Sequence, residues 1–181
     1  KPDGRIVAIA ETFGTVSQVV QMRAMLQTPA ARKLVELKAV DNRWPLVGTS
    51  AISPDADLAT ALADHAIIAD PSLLRSLGLE PGDTARLGDL DIRVSAELVR
   101  EPDRSISFVS FGPRVLISQA TLEATGLQQP GSFITFRHRL ILDKESDRQA
   151  ALTALRNATA DTHVRVRDLA DAAPGFDRFI N

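Results

Sequence analysis

The 181-residue chain has no cysteine, no tyrosine and only 4% aromatic residues. The absence of cysteine excludes disulfide bonds, thiolate metal sites and a cysteine nucleophile, although it does not identify the compartment. So few aromatic side chains argue against stacking platforms for bases or sugars. The sequence also lacks a run of about 18 apolar residues, so we expect no part of this chain to span a bilayer.

The first residues of the chain resemble neither a native start nor a signal peptide. An initiator methionine is missing, and Lys1-Pro-Asp-Gly4 lacks the apolar core of a secretion signal. We therefore expect a piece cut from a longer protein. A native start exposed by removal of a tag is the alternative.

Composition and charge describe an ordinary globular protein. The chain is 44% apolar and 24% charged, with a net charge of −2, and its acids and bases are interleaved. Its length allows one medium domain or two small ones with a buried core. Nothing indicates a basic surface for nucleic acid, so we expect no nucleic-acid partner.

The stretch 34–48 is the one around which the rest of the chain is organised. Its first half alternates between apolar and polar residues, which predicts a strand with Val35, Leu37 and Ala39 on one face. The strand breaks at Asp41-Asn42. The single tryptophan, Trp44, follows, and we expect it to anchor one subdomain against the other.

Periodicity, caps and turn residues predict a mixed set of helices and strands. The segment 66–69 is short and apolar, so it is either a buried strand or a core plug. A capping-box spacing at Ser146 predicts the start of the last helix. The predicted elements are a helix at 3–13, strands at 15–26, 33–40 and 48–52, a helical turn at 57–63, a helix at 71–77, strands at 84–87, 91–99 and 114–117, a helix at 119–125, a strand at 132–142, a helix after 146, and a short strand at Val164 and Val166.

These elements predict an α+β fold. Helix–strand–strand at the front and strand–helix–strand at the back are complementary halves of a split α/β layer. The β-rich middle is then an insert. The predicted boundaries are 1–41 for the first half, 42–130 for the insert and 131–181 for the second half.

Residues typical of catalysis or metal binding do not form a recognisable site. The three histidines, His65, His138 and His163, lack partners at ligand spacing, so we expect no metal. On its strand, His138 is expected to be a hydrogen-bonded core or interface residue. Motifs for a serine nucleophile, a dinucleotide and a phosphate loop are absent, so we expect no catalytic residue and no cofactor.

The best candidate for a functional site is the loop that follows the strand at 91–99. Glu101 and Asp103 are expected to cap this loop and to pair with Arg100 and Arg104. Beyond them an apolar cluster that includes Phe108 and Phe111 is either packed onto its own domain or presented to a partner or lipid.

Four separated segments carry a resemblance to a known family. They are LVELKAVDNRWPLVG at 34–48, DPSLLRSLGLEPGDT at 70–84, REPDR at 100–104 and GPRVLISQATLEATGLQQPGS at 112–132. In this order they resemble the periplasmic, MacB-like core domain of MacB/FtsX-type ABC transporter permeases, in the YbbP-like branch.

The resemblance implies a porter-like α/β subdomain split around an inserted β-rich subdomain of the Sabre type. It implies a domain in the periplasm, attached to the inner (cell) membrane, that belongs to a homodimer with a cytoplasmic ABC ATPase subunit. Such permeases transmit ATP-driven movement (mechanotransmission) in the export or extraction of hydrophobic or lipid-like compounds. A periplasmic esterase or lysophospholipase is a further implied partner.

The resemblance supplies no catalytic residues, so the domain is expected not to be an enzyme. The partner or substrate surface that we expect comprises Arg100, Glu101, Asp103, Arg104, Phe108, Phe111 and Trp44. A free-standing periplasmic carrier of a ligand or lipid is the alternative function, and a hydrolase is a weaker one.

Overall fold

The computed structural model describes residues 4–102 and 112–168. The chain divides into two compact units. One combines the residues up to Val16 with those from Leu140 on, and the other is the continuous stretch Ser17–Arg139.

The described chain contains helices and strands in mixed order. Two of the strands, β1 and β8, contain residues of both units. The elements are α1 (Gly4–Glu11), β1 (Gly14–Gln27), β2 (Arg32–Val40), β3 (Ala51–Ser53), α2 (Leu58–Ala61), β4 (Ala66–Ala69), α3 (Pro71–Leu77), β5 (Thr84–Leu87), β6 (Leu90–Arg100), β7 (Arg114–Ser118), α4 (Gln119–Ala124), β8 (Ile134–Leu142) and α5 (Arg148–Thr159), the last preceded by a 3-10 turn at Glu145–Asp147.

The central unit is built on a sheet whose pairing path returns to its start. The strand order is β2-β7-β4-β6-β5-β1-β8, and β1 also pairs with β2. The β1–β2 hairpin is antiparallel from Val19↔Val40 to Gln27↔Arg32, whereas β2 and β7 run parallel. β3 adds to β6 outside this path.

Alternation of apolar residues explains how this sheet forms its core. Val35, Leu37 and Ala39 are all buried, as their spacing predicts. They pack in a cluster that includes residues of β4, β6 and β7. A second cluster lies around Trp44. The segment 66–69 is strand β4 and is buried throughout, which decides between the two predicted readings.

The helix α3 shows how local sequence fixes an element. The Asp70 side chain accepts a hydrogen bond from the Ser72 amide at 2.9 Å, and Pro71 takes the first helical position. Gly78 ends the helix with a φ of 65°, in the left-handed region. The buried Leu73, Leu74 and Leu77 then pack into the main cluster.

In the unit formed by both chain ends, α1 packs against α5. The Asp143 amide donates to the Phe13 carbonyl at 3.0 Å. A Cβ atom at Gly14 would run into the carbonyl oxygen of Ile141, so a glycine is needed at this close approach. Arg148 holds Asp168 through its Nε at 2.8 Å.

The α+β fold class is confirmed, and most predicted elements are present. Two local predictions are wrong. No strand is assigned among the described residues around Val164 and Val166, where the backbone is irregular. The capping box does not form either, because the Ser146 hydroxyl donates to Asp147 and a 3-10 turn precedes α5.

The two compact units divide the chain at places other than the predicted boundaries of 41/42 and 130/131. The paired part of the β1–β2 hairpin, from Val19 to Val40, belongs to the central unit, in which β2 also pairs with β7 along five residue positions, from Glu36↔Arg114 to Val40↔Ser118. The assignment of 1–41 and 131–181 to a porter-like subdomain and of 42–130 to a Sabre-like one stays a prediction.

Two glycines with similar backbone angles allow a controlled test of this packing. Gly88 (φ 61°) and Gly78 (φ 65°) are both left-handed, but a Cβ at Gly88 would meet the carbonyl oxygen of Thr125 while one at Gly78 meets nothing within 4 Å. Gly78→Ala should therefore lower the free energy of unfolding by about 1–2 kcal/mol for backbone strain alone. Gly88→Ala should lower the free energy of unfolding by about 1–3 kcal/mol more, because its new Cβ atom would also clash with the Thr125 carbonyl oxygen. Urea unfolding of both variants checks this, and equal losses would contradict the close approach.

Candidate functional site around Glu101

The predicted site lies where β6 ends and β7 begins. Arg100 is the last residue of β6 and Arg114 the first of β7. Of the predicted site residues, Asp103, Arg104, Phe108 and Phe111 lie outside the described part of the chain. We call residues 103–111 the 103–111 segment. The described residues on either side of it are Glu101-Pro102 and Gly112-Pro113.

A buried ion network occupies the base of the 103–111 segment. Glu101 Oε1 lies 2.7 Å from Lys38 Nζ, and Glu101 Oε2 lies 3.1 Å from Arg114 Nε. The side chains of Lys38 and Glu101 are 2% and 1% exposed. Arg114 Nη1 also reaches Glu36 Oε2 at 3.3 Å. The network thus joins the middle of β2, the end of β6 and the start of β7.

The environment of Lys38 explains how a lysine can be buried in the middle of a strand. A buried ammonium group is costly unless it is paired, and the Glu101 carboxylate supplies the opposite charge. The Trp44 ring adds a cation–π contact, with its centroid 4.3 Å from Lys38 Nζ. The alternation that puts Leu37 and Ala39 on the core face predicts Lys38 on the opposite, polar face of β2, but that face is covered as well.

Trp44 is a core residue in this structure. It is 5% exposed and packs in the second apolar cluster with residues of β1, β2, β3, β4, β6 and β7. Its prediction as part of a partner surface is therefore wrong for the described conformation. The cluster consists of Val19, Val40, Trp44, Ile52, Ala61, Leu62, Ile68, Ala96, Leu98 and Leu116.

Glu101 is likewise turned inward, contrary to its prediction as a surface residue that pairs with Arg100. Burial next to Lys38 and Arg114 gives its carboxylate two cationic partners, and an exposed pair with Arg100 would give it one. Arg100 instead donates from Nη2 to Thr49 Oγ1 at 2.8 Å and is exposed. Among the described residues of the predicted surface, Arg100 is the exposed one.

Sequence reasoning did not predict Lys38, Glu36 or Arg114 as site residues. The signal available was weak, because a Lys and a Glu two positions apart on a strand are typical of a solvated face. Their partner Glu101 is distant in sequence, so pattern analysis could not connect them.

A second polar cluster lies at the end of the β1–β2 hairpin. The Asp41 carboxylate accepts hydrogen bonds from Ser17 Oγ at 2.8 Å and from the Gln18 amide at 2.6 Å. The predicted break at Asp41 is thus a side-chain anchor of β1. His138 lies near this carboxylate, but its buried Nε2 has no hydrogen-bond partner among the described residues, contrary to the expectation of a hydrogen-bonded histidine.

Burial lowers the pKa of His138 from the usual 6.5, and the charge of Asp41 opposes this only in part. Because the folded-state pKa lies below the unfolded one, the unfolded chain binds the proton more readily as the pH falls below 6.5. The free energy of unfolding should therefore fall as the pH is lowered from 6.5 to the folded-state pKa of His138, and should stay constant below that pKa. Urea unfolding at pH of about 7.5 and about 5 measures this loss of stability. The loss should disappear in His138→Leu and persist in His163→Gln, which replaces an exposed histidine. An unchanged pH dependence in His138→Leu would contradict the prediction.

A shallow cavity of about 280 Å³ lies beside β3 and α2. Its lining includes Thr49, Asp55 and Asp57. Asp57 is already engaged, since its carboxylate caps α2 by accepting from the Thr60 amide at 3.1 Å. The cavity therefore presents helix-capping and loop residues and no arrangement typical of catalysis.

Comparison with known proteins relates this geometry to transporter domains. Comparison with protein-family models yields no match. The chain is 32% identical over 107 residues to the uncharacterized ABC transporter permease YbbP of Escherichia coli strain K12. The aligned stretch is 59% of this chain but 13% of that permease. The chain is similar to YbbP over this stretch, and its fold is of the MacB/FtsX type.

Solved structures share this MacB/FtsX-type fold. The extracellular domain of the noncanonical ABC-type transporter YknZ from Gram-positive bacteria superposes with a TM-score of 0.61 at 9% identity, over 88% of this chain and 84% of that one. The periplasmic region of MacB from Actinobacillus actinomycetemcomitans superposes with a TM-score of 0.55 at 14% identity, over 86% and 74%. The resemblance found in the four segments is confirmed.

Within residues 4–102 and 112–168, no helix combines the length and the apolar character that crossing a membrane requires.

Proposed function

We propose that this chain is the extracytoplasmic, non-enzymatic domain of an ABC transporter permease in the inner membrane. The relation to YbbP carries the proposal, and the fold shared with the MacB periplasmic region supports it. On this proposal the domain lies in the periplasm of a homodimeric permease and works with a cytoplasmic ABC ATPase. It transmits ATP-driven movement in the export or extraction of hydrophobic or lipid-like compounds, and a periplasmic esterase or lysophospholipase docks on it.

The chemistry of the described site supports a role in binding or transmission. Lys38 and Arg114 both form ion pairs with the Glu101 carboxylate. Asp41 holds two groups of β1. Side chains that stabilise their own fold in this way are poorly placed to act as an acid, base or nucleophile on a substrate.

The gene that encodes the chain provides a direct test of the proposed attachment. A permease domain requires apolar runs of about 20 residues on both sides of the chain, whereas a free-standing carrier requires a secretion signal and a stop codon after Asn181. Co-purification of the full-length protein with an ABC ATPase would support the permease. A secreted protein that ends at Asn181 would contradict it.

We further propose that the partner or substrate surface is formed by Arg100, at the end of β6, and by Asp103, Arg104, Phe108 and Phe111, which follow it in the sequence. Apolar side chains that lie close in sequence to arginines suit a partner that offers both an apolar surface and acidic groups. Phe108→Asp combined with Phe111→Asp should reduce complementation of a strain that lacks the permease by about tenfold or more, because apolar anchors dominate such interfaces.

A matched control is available for this double variant. Phe133 is 97% exposed and precedes β8, so Phe133→Asp places the same charge on another exposed phenylalanine. This control should complement normally, and immunoblots should show equal amounts of both proteins. Normal complementation by a stably present Phe108→Asp/Phe111→Asp variant would remove the segment from the site.

A further inference from the structure

The strand β3 is an open edge of the central sheet. Its residues Ala51–Ser53 pair with β6, and no other described strand pairs with them. The unpaired backbone groups of such an edge can bind a further extended segment. Pro54 follows directly, so the edge that is available is short. The cavity of about 280 Å³ lies beside this strand and gives a docked side chain room.

The surroundings of β3 are acidic at one end. Between Arg43 and Arg75 the sequence contains several aspartates but neither lysine nor arginine. Asp55 and Asp57 of this stretch are exposed and line the cavity. Asp57 caps α2, whereas Asp55 forms no ion pair with another described residue. This end of β3 should therefore attract a basic side chain.

The opposite end of β3 is apolar and basic. Arg100 pairs there with Ala51, and its Nη2 donates to Thr49 Oγ1 at 2.8 Å. Val99 next to it and Val47 in the loop before β3 are 63% and 68% exposed. A second cation would be repelled at this end, whereas apolar side chains would gain contact area. The edge as a whole thus suits a strand that carries both apolar and basic side chains.

One stretch of the chain has this composition and pairs with no described strand. Residues 163–167 read His-Val-Arg-Val-Arg, an alternation typical of a strand. No hydrogen bond joins the backbone amides of residues 165–167 to another described residue. The two arginines are exposed and form no ion pair within the described part of the chain. Asp168, the next residue, accepts from Arg148 Nε at 2.8 Å, so the stretch is anchored at its end.

We propose that residues 163–167 of one copy of this chain add as a strand to β3 of a second copy, with Arg165 at Asp55. The stretch and the edge match in charge and in unpaired backbone groups, which are the two requirements for adding a strand to a sheet edge. In a homodimer each copy offers one stretch and one edge, so a two-fold axis makes the contact twice. The inference rests on the proposed function for the second copy, and it adds which surfaces of the two copies meet.

Crosslinking between two single-cysteine copies tests this contact. The chain has no cysteine of its own, so Ala56→Cys in one copy of the full-length permease and Val164→Cys in a differently tagged copy supply the thiols, with any cysteine elsewhere in the permease changed to serine. Ala56 lines the cavity, and both positions are exposed. A short bismaleimide should yield a dimer-sized product that carries both tags. Because each copy has one thiol, this product cannot form within a single chain.

A matched pair and charge reversal control for random collision. Glu123→Cys, at an exposed residue of α4, replaces Ala56→Cys and should give little product. Arg165→Asp in one copy, or Asp55→Lys in the other, should reduce the product by about fivefold or more, because like charges then face each other. The two reversals together should restore the product. Equal product in all four charge combinations would overturn the placement of Arg165 at Asp55.

Light scattering of the purified permease separates this contact from the proposed function. A dimer that gives the two-tag product, with loss and rescue by charge reversal, supports both. A dimer that gives no more product than the Glu123→Cys pair overturns the contact and leaves the proposed homodimer standing. A permease that is monomeric overturns both.

Discussion

Glu101→Gln is expected to lower the free energy of unfolding by about 3–5 kcal/mol, because it leaves a buried lysine without its counter-charge. Lys38 Nζ lies 2.7 Å from the Glu101 carboxylate, and both side chains are almost completely buried. The glutamine amide also cannot accept charged hydrogen bonds from Lys38 and Arg114 as strongly as a carboxylate does. Urea unfolding followed by circular dichroism measures the change.

An exposed ion pair in the same sheet provides the control for Glu101→Gln. Arg86 and Asp91 lie 3.1 Å apart with side chains that are 53% and 75% exposed. Asp91→Asn removes a carboxylate in the same way but should change the free energy of unfolding by about 1 kcal/mol or less. Similar losses in the two variants would contradict the burial of the Lys38–Glu101 pair.

Trp44→Ala is expected to cost about 3–5 kcal/mol of stability, as truncation of a large buried aromatic residue does. The Trp44 side chain is central to the second apolar cluster and also forms the cation–π contact to Lys38. Its removal therefore opens a cavity and weakens the environment of the buried ammonium group. The midpoint of urea unfolding should fall accordingly, with little change in the m-value.

Phe133→Ala is the control for this truncation, because Phe133 is 97% exposed. It should change the free energy of unfolding by less than about 0.5 kcal/mol, as surface substitutions usually do. A Trp44→Ala variant as stable as Phe133→Ala would show that the ring is not part of the core, and would restore its place on a partner surface.

Period-two patterns made most of the central strands predictable. Val35, Leu37 and Ala39 face the core as their spacing indicates, and the four apolar residues of β4 form a fully buried strand. The α3 boundaries followed from Asp70, Pro71 and Gly78, whose conformational preferences act locally. Elements specified by their own residues were therefore predicted well.

Features that depend on distant partners were not predictable in this way. Lys38 looked like a solvent-facing residue because nothing near it in sequence indicates that Glu101 lies over that face. Val164 and Val166 have β-branched side chains but form no strand in the described part of the chain, since propensity needs a neighbouring strand to pair with. The role of Trp44 as an anchor between two subdomains stays a prediction, and its burial in one cluster could be seen only in the fold.

Functional class depended on relatives more than on chemistry. The candidate site contains ordinary ion pairs and apolar packing, which many proteins use for stability alone. The proposed functional class comes instead from the similarity to YbbP and from the fold shared with the YknZ and MacB domains. Because the alignment with YbbP covers 13% of that permease, the transport activity itself stays a proposal.

The most direct test of the central claim measures movement of this domain in the full-length permease. Because the chain contains no cysteine, spin labels can be placed on it at Phe133→Cys or Glu123→Cys, two exposed positions. Distances between the labels of two copies are then measured by electron paramagnetic resonance in the complex with the ATPase, with and without ATP. The proposed function predicts a defined distance between copies that shifts when ATP binds. A distance that stays the same in both states, or the absence of a second copy, would contradict it.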